Sequence, residues 1–146
     1  MDMTTRHLIS DAANAFLAAP KRMLIGADWV DAADGAQLDV RNPATGEVFA
    51  QVPAGKAADV DRAVRAARAA FEEGPWPAMS PVQRERLLLA LADKVEANAQ
   101  ELAELESLDN GKSVMLARHV DMAMAVDFLR YMAGWATKIE GATHDV

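Results

Sequence analysis

The chain reads Glu106-Ser107-Leu108-Asp109-Asn110-Gly111-Lys112 in its last third, and a second distinctive stretch follows at Leu129-Arg130-Tyr131-Met132-Ala133-Gly134-Trp135. The first stretch predicts the end of a helix, because Asn and Gly tolerate the left-handed backbone conformation at which helices stop. The second lies within a helical pattern of apolar residues. Upstream of both, a β-rich part precedes a helical part, without a repeat or a linker between them. We therefore expect an α/β fold with a small β region followed by four helices.

The β region is predicted between residues 22 and 52. Apolar residues flank Gly26-Ala27-Asp28, which has the length and composition of a hairpin turn. A second turn, Asn42-Pro43-Ala44-Thr45-Gly46, separates two further strand candidates at 38–40 and 48–52. Apolar and polar residues alternate in these strands, so each should turn one face towards water.

Four helices are predicted after the strands, near residues 57–73, 81–97, 99–110 and 114–137, and a short amphipathic helix is predicted over 4–18. Ser80 as N-cap, Pro81 at the first helical position and Gln83 form a strong start signal. Asn98 with Glu101 has the pattern of a second capping box. We divide the chain into an N-terminal helical extension, residues 1–20, and a main part, residues 21–146.

Apolar residues recur at helical spacing along one face of three helices, and the stripe of the third helix is predicted to be buried. They are Leu8, Ala12, Ala15 and Phe16 in the first helix, Val60, Val64, Ala67 and Phe71 in the second, and Leu87, Leu88, Leu91 and Val95 in the third.

Composition excludes several classes of protein. Net charge is −7 and the basic residues are interleaved with acidic ones, so we expect no nucleic-acid partner. No stretch approaches the roughly 18 apolar residues of a membrane span, and no export signal is visible, so we expect no membrane association. The missing export signal and membrane span lead us to expect a cytoplasmic protein, and the absence of cysteine, which excludes disulfides, fits a reducing compartment.

The two quoted stretches resemble N-terminal signatures of the aldehyde dehydrogenase superfamily, which oxidises aldehydes to acids with a nicotinamide cofactor. Upstream segments resemble the family in the same order: Asn42-Pro43-Ala44-Thr45-Gly46-Glu47, then 59–64 with 66–71, then 84–91. The resemblance runs from about Met23 to the end of the chain. It implies the N-terminal portion of the family's cofactor-binding domain, with the Rossmann-like core strands and the catalytic domain outside the chain.

The family's chemical groups are expected outside these residues. The resemblance implies a cysteine nucleophile, a glutamate base and an asparagine oxyanion donor, and the chain contains no cysteine to form a thiohemiacetal. It also has neither G-x-G-x-x-G nor G-x-x-x-x-G-K-[ST]. We therefore place no catalytic or cofactor-binding residue here, expect NAD or NADP in the complete enzyme, and expect the fragment alone to be inactive.

Asp109 is a candidate ligand of a monovalent cation. A carboxylate in the last turn of a helix faces the negative end of the helix dipole, a conflict that a bound cation would remove. Many members of the family have such a site, and the resemblance implies Na⁺ or K⁺ held by Asp109 and the backbone near Val40. Oxygen ligands suit these ions. The alternative is a solvated Asp109 at an ordinary helix end.

The last helix carries Val120, Met124, Phe128, Tyr131 and Trp135 at spacings that place them along one stripe. An apolar stripe is most often core. The resemblance, however, implies that Val120, Met124 and Phe128 line the aldehyde-entry tunnel of the complete enzyme, while Tyr131 and Trp135 pack internally. For Arg130 it leaves open an interdomain ion pair.

Phenylacetaldehyde dehydrogenases are the subgroup that the chain resembles in its finer motifs. Gly111-Lys112-Ser113 and the segment 137–146 carry that likeness, and the latter resembles the lead into an oligomerisation hairpin. The implied function is oxidation of arylacetaldehydes such as phenylacetaldehyde by a homo-oligomer. The alternative is a non-enzymatic helical interaction module, or a truncated product that associates with full-length subunits.

Overall fold

The computed structural model describes residues 9–141. Its β region consists of two antiparallel hairpins. β1 (Met23–Ile25) pairs with β2 (Asp28–Val30), and β3 (Gln37–Arg41) pairs with β4 (Val48–Pro53). The Gly26 and Asn42–Gly46 turns lie where the sequence predicts them.

The helices confirm the predicted order of a small β region followed by helices. A first helix, α1 (Asp11–Ala18), precedes the strands. The helices after the strands are α2 (Ala57–Glu72), α3 (Pro75–Ala78), α4 (Pro81–Ala97), α5 (Ala99–Asn110), α6 (Val114–Leu116), a π-helical turn (Ala117–Asp121) and α7 (Met122–Trp135). The predicted start of the first helix, residues 4–8, lies outside the described residues.

The last helix departs from the prediction of one continuous helix over 114–137. The π turn interrupts it, and α7 ends at Trp135. The short helix α3 is an addition, formed where Gly74-Pro75 ends α2 and Pro75 starts a new turn. The predicted capping box at Asn98 does not form. Its side-chain amide instead donates to the carbonyl of Lys94 at 2.8 Å, because Asn98 also ends α4.

The helical layer is built on the pairing of α4 with α7, while α5 packs against the π turn and against α1. Arg130 of α7 binds Asp93 at 3.0 Å and Glu96 at 2.6 Å, both on α4. These two hydrogen bonds raise the pKa of Arg130. Arg130 therefore joins two helices of this chain, and within residues 9–141 its ion pairs are those two.

Small side chains form most of the buried core, and the stripe that the sequence predicts to be buried in α4 is buried only in part. Alanines at the helix contacts are fully enclosed: Ala13, Ala92, Ala103, Ala117 and Ala133. In that stripe Leu87 and Leu91 are exposed, while Leu88 and Val95 are half-buried. The apolar faces of α1 and α2 are exposed at Phe16, Val60, Val64 and Phe71. Helices that meet through alanine approach closely, so they cover only a narrow part of each apolar face. The rest of each face has no cover within residues 9–141.

The buried carboxylate of Asp59 joins two elements of the fold. Asp59 accepts hydrogen bonds from the amides of Lys56 and Ala33, each at 3.0 Å, and from Arg62 at 2.8 Å. These bonds, the one from the Lys56 amide first, lower the pKa of Asp59. Because Ala33 lies between the hairpins, Asp59 fastens the β region to the first turn of α2. The sequence predicts for Asp59 only a favourable place in the helix dipole.

Candidate functional site

The end of α5 is a closed loop centred on Lys112. Gly111 takes the left-handed conformation with φ 78°, as the helix-end pattern predicts. The hydroxyl of Ser107 donates to the carbonyl of Lys112 at 2.5 Å, and the amide of Lys112 donates to the side-chain oxygen of Asn110 at 2.8 Å. The backbone of Lys112 is thus held on both sides.

The ammonium of Lys112 connects α5 to the π turn. Its Nζ lies 2.5 Å from Oδ2 of Asp121 and 3.4 Å from Oε1 of Glu106. The hydrogen bond to Asp121, supported by Glu106, raises the pKa of Lys112. A helix-end lysine is expected to interact with the terminal carbonyls, so this role of Lys112 is one that the sequence misses. The only sequence signal for this pair is an aspartate, Asp121, nine positions after Lys112. Because the chain between the two helices has no fixed geometry, that separation does not predict a contact.

The π turn carries the first predicted tunnel residue. The amide of Met122 donates to the carbonyl of Ala117, five residues earlier, and Ala117 is fully buried. Val120 lies within this turn, directly before Asp121. π turns commonly mark functional positions, since they insert one extra residue into a helix.

The three predicted tunnel residues are exposed on the described part of the chain. Val120 is 43% exposed, Met124 is 64% exposed and Phe128 is 60% exposed. Met124 and Phe128 are four residues apart in α7, so they lie on one face. Tyr131 and Trp135 continue the apolar face, and their rings meet edge to face with centroids 6.2 Å apart. Tyr131 is 63% exposed and Trp135 is 49% exposed, so any internal packing of these two side chains would have to come from parts of the enzyme outside residues 9–141.

Asp109 and the strand end at Val40 belong to neighbouring parts of the fold. Asp109 is exposed and forms no ion pair or hydrogen bond through its side chain within residues 9–141. Next to it, a Cβ added at Gly111 would lie 3.0 Å from Cγ of Pro43, so the end of α5 adjoins the turn after β3. The β3–β4 ladder is irregular between Val40 and Arg41. A bulge of this kind re-aims backbone groups.

Within the described residues, no group of three or more His, Asp or Glu side chains is placed to hold a metal ion. The same part of the chain has no helix with the length and hydropathy needed to cross a membrane. The chemistry offered by residues 9–141 is therefore an apolar helix face bordered by a lysine–carboxylate network, with an unpaired carboxylate at the nearby helix end.

Comparison with known proteins gives one consistent family. Residues 29–146 match the profile described as "Aldehyde dehydrogenase family". The phenylacetaldehyde dehydrogenase of Pseudomonas fluorescens is 46% identical over 130 residues, which are 89% of this chain and 26% of that protein. The mitochondrial aldehyde dehydrogenase of Homo sapiens is 44% identical, over 94% of this chain and 28% of that protein.

Solved structures agree with the sequence comparison. The NAD+ complex of an aldehyde dehydrogenase from Bacillus cereus superposes with a TM-score of 0.91 at 42% identity, over 94% of this chain and 28% of that one. A betaine aldehyde dehydrogenase from Staphylococcus aureus, also in complex with NAD+, gives a TM-score of 0.85 at 34% identity, over 93% and 27%. The chain thus spans about a quarter of the length of the relatives it matches.

Proposed function

Because this chain belongs to the aldehyde dehydrogenase family, we propose that it forms the N-terminal part of an enzyme that oxidises an aldehyde to a carboxylic acid with NAD⁺. In that reaction the aldehyde and water give the acid, and the hydride passes to NAD⁺ to give NADH and a proton. The observation that carries the proposal is the likeness, over 94% of the chain, to a relative solved with NAD⁺. NADP⁺ is the alternative cofactor, to be decided by assay.

The apolar face of Val120, Met124 and Phe128 is proposed as one wall of the aldehyde-entry tunnel. All three side chains are exposed on the described part of the chain and so are free to meet another part of the enzyme. Apolar and adaptable side chains suit a hydrophobic substrate, and methionine fits itself to irregular shapes. Substrate would pass along this wall towards a nucleophile that residues 1–146 do not contain.

An arylacetaldehyde such as phenylacetaldehyde is the proposed substrate. The support is the 46% identity to a phenylacetaldehyde dehydrogenase and the aromatic side chain of Phe128, which offers an edge or a face to an aryl ring. A benzaldehyde dehydrogenase of Antirrhinum majus is also 46% identical, so the proposal extends to aromatic aldehydes as a group.

A monovalent cation, Na⁺ or K⁺, is proposed beside Asp109 and the backbone near Val40. The donor set fits such an ion, since a carboxylate without a partner lies at the negative end of α5 and adjoins the turn that follows an irregular strand end. Carboxylate and carbonyl oxygens would bind the ion without selecting a transition metal. Its role would be to fix the end of α5 against the β region.

Homo-oligomerisation and a cytoplasmic location complete the proposal. The segment 142–146, part of the predicted lead into an oligomerisation hairpin, lies outside the described residues.

Several relatives carry the word mitochondrial in their names, so fractionation of cells that express the protein is the direct test of its compartment.

The test of this function is a substrate panel with the complete protein that contains this chain. We expect NADH formation with phenylacetaldehyde, benzaldehyde, acetaldehyde and betaine aldehyde to differ in kcat/KM, with the arylacetaldehyde highest. A higher kcat/KM for betaine aldehyde would overturn the substrate proposal and leave aldehyde oxidation in place.

The competing class is a helical interaction module without enzymatic activity. The large apolar side chains exposed on α2, α4 and α7 favour it, because such faces invite association. Sequencing the DNA downstream of codon 146 separates the two. An in-frame continuation with a cysteine nucleophile and a Gly-rich turn supports the enzyme, and a native stop codon supports a truncated product that binds full-length subunits.

A further inference from the structure

We propose that Lys112 is a positioning residue that sets the substrate-facing position of Val120 by clamping the π turn against α5. The inference rests on the proposed function, since it concerns the wall of the proposed tunnel. The observation that carries it is the pair of contacts from one ammonium, to Asp121 at the end of the π turn and to Glu106 on α5.

The anchor of this clamp is rigid. The carbonyl and the amide of Lys112 are both fixed to α5 by Ser107 and Asn110. Asn110 itself donates to Glu106 at 3.2 Å, which keeps that carboxylate in place beside the ammonium. The backbone of Lys112 and its Glu106 partner are therefore both held on α5, and the ammonium reaches from there to Asp121 on the π turn.

The π turn, which Lys112 contacts through Asp121, is the element that is able to change its geometry. A π turn contains one residue more than regular helix, and its relaxation would rotate one side against the other by roughly 100° per residue. α7 is fixed downstream, because Arg130 binds Asp93 and Glu96 on α4 and because Val126 and Ala133 are buried. Relaxation would therefore displace Val120 rather than Met124 or Phe128.

Lys112 is half-buried at the surface, with 38% of its side chain exposed, and Asp121 is 29% exposed. An ion pair at this level of exposure contributes little to overall stability, so its geometric effect is separable from folding. The expected consequence of removing it is a misplaced tunnel wall in a folded enzyme.

The test uses the complete enzyme with Lys112→Met, Asp121→Asn and the double variant, and with Lys94→Met on the exposed side of α4 as the matched control. We expect KM for phenylacetaldehyde to rise roughly tenfold in each Lys112→Met or Asp121→Asn variant, with kcat for phenylacetaldehyde and KM for acetaldehyde each changed less than twofold. The double variant should add nothing further, since each single change already removes the ion pair. Lys112→Arg should restore most of the wild-type KM, and Lys94→Met should leave it unchanged.

An equal rise in KM for phenylacetaldehyde and acetaldehyde would overturn the inference. So would a double variant whose rise in KM is the product of the two single rises. If Lys112→Met does not fold, Asp121→Asn removes the same ion pair from the other side and decides the question alone. A wild-type enzyme that oxidises no aldehyde would refute the proposed function instead, so the two failures are distinguishable.

Discussion

The carboxylate of Glu104 accepts hydrogen bonds from the amide and the hydroxyl of Ser10, at 2.9 Å and 2.6 Å, although the two residues are 94 positions apart in sequence. Gln100 donates to its other oxygen at 2.6 Å. Glu104 is buried, and Ser10 is also the N-cap of α1, accepting from the amide of Ala13. One carboxylate on α5 therefore fixes the start of the first described helix, which makes the docking of α1 testable at a single residue.

Replacing Glu104 with Gln should loosen α1. The substitution keeps the size of the side chain and weakens charge-assisted hydrogen bonds, at a cost of about 1–2 kcal/mol. Amide hydrogen exchange over residues 11–18 measures this locally, and we expect about a tenfold loss of protection there. Glu47→Gln, in the exposed turn between β3 and β4, is the control and should leave exchange unchanged. Unchanged protection in the Glu104 variant would contradict the docking role.

The same contact should depend on pH. Burial alone would raise the pKa of Glu104, but the hydrogen bonds from Ser10 and Gln100 outweigh it and lower the pKa below its ordinary value of 4.5. A carboxyl whose pKa is lower in the folded state stabilises fully above the unfolded value and loses that contribution as pH falls through the folded value. We expect protection of α1 to decline below pH 4.5 in the wild type, with a shallower decline in Glu104→Gln. An equally steep decline of α1 protection in the wild type and in Glu104→Gln would refute this pH dependence of the Glu104 contact.

Gly111→Ala should lower the melting temperature more than Gly35→Ala. Both glycines have a positive φ, 78° and 70°, so both substitutions carry similar backbone strain. A Cβ at Gly111 would also lie 3.0 Å from Cγ of Pro43, whereas a Cβ at Gly35 meets nothing within 4 Å. Calorimetry of both variants isolates the contact between the end of α5 and the Asn42–Pro43 turn. Equal melting temperatures would show that this approach carries no strain.

Asp109→Asn should abolish a specific effect of monovalent cations. With Asp109 intact, NaCl or KCl should raise the melting temperature above that in choline chloride at equal ionic strength, because an ion that binds only the folded state stabilises it. In Asp109→Asn the three salts should be equivalent. Asp28→Asn, an exposed aspartate of β2, is the matched control and should retain the difference. Equivalence of the salts in the wild type would exclude the proposed cation site.

The 146-residue chain by itself should associate and should not oxidise aldehydes. Phe128 and Tyr131 are each at least 60% exposed on α7, and such a patch favours self-association. Size-exclusion chromatography should give an apparent mass above 15.7 kDa, and a Phe128→Ser/Tyr131→Ser variant should elute closer to the monomer. A compact wild-type monomer would contradict the role of this face.

Local signals made the element boundaries predictable. Ser80, Pro81 and Gln83 mark the start of α4, and Gly111 marks the end of α5, because capping residues act within a few positions of themselves. The two hairpins are predictable for the same reason, because their turns at Gly26 and at Asn42–Gly46 contain residues typical of turns.

Long-range partners and burial were not predictable in the same way. The sequence gives no signal for the π turn, because the apolar residues Val120, Met124 and Phe128 keep the spacing of four that a regular helix would show. The partners of Glu104, Asp59 and Lys112 depend on how separate elements meet, so their pairing is not encoded in any local spacing. An apolar stripe predicts a face that needs cover, and it does not say whether residues 9–141 provide that cover.

The most direct test of the account is NADH formation by the complete protein that contains this chain, assayed with phenylacetaldehyde and NAD⁺ beside the 146-residue chain at equal concentration. The account predicts NADH and phenylacetate in equal amounts from the complete protein, and neither product from the chain alone. Turnover by the purified chain that survives removal of contaminating enzymes, or a folded complete protein that oxidises no aldehyde with either nicotinamide cofactor, would contradict it.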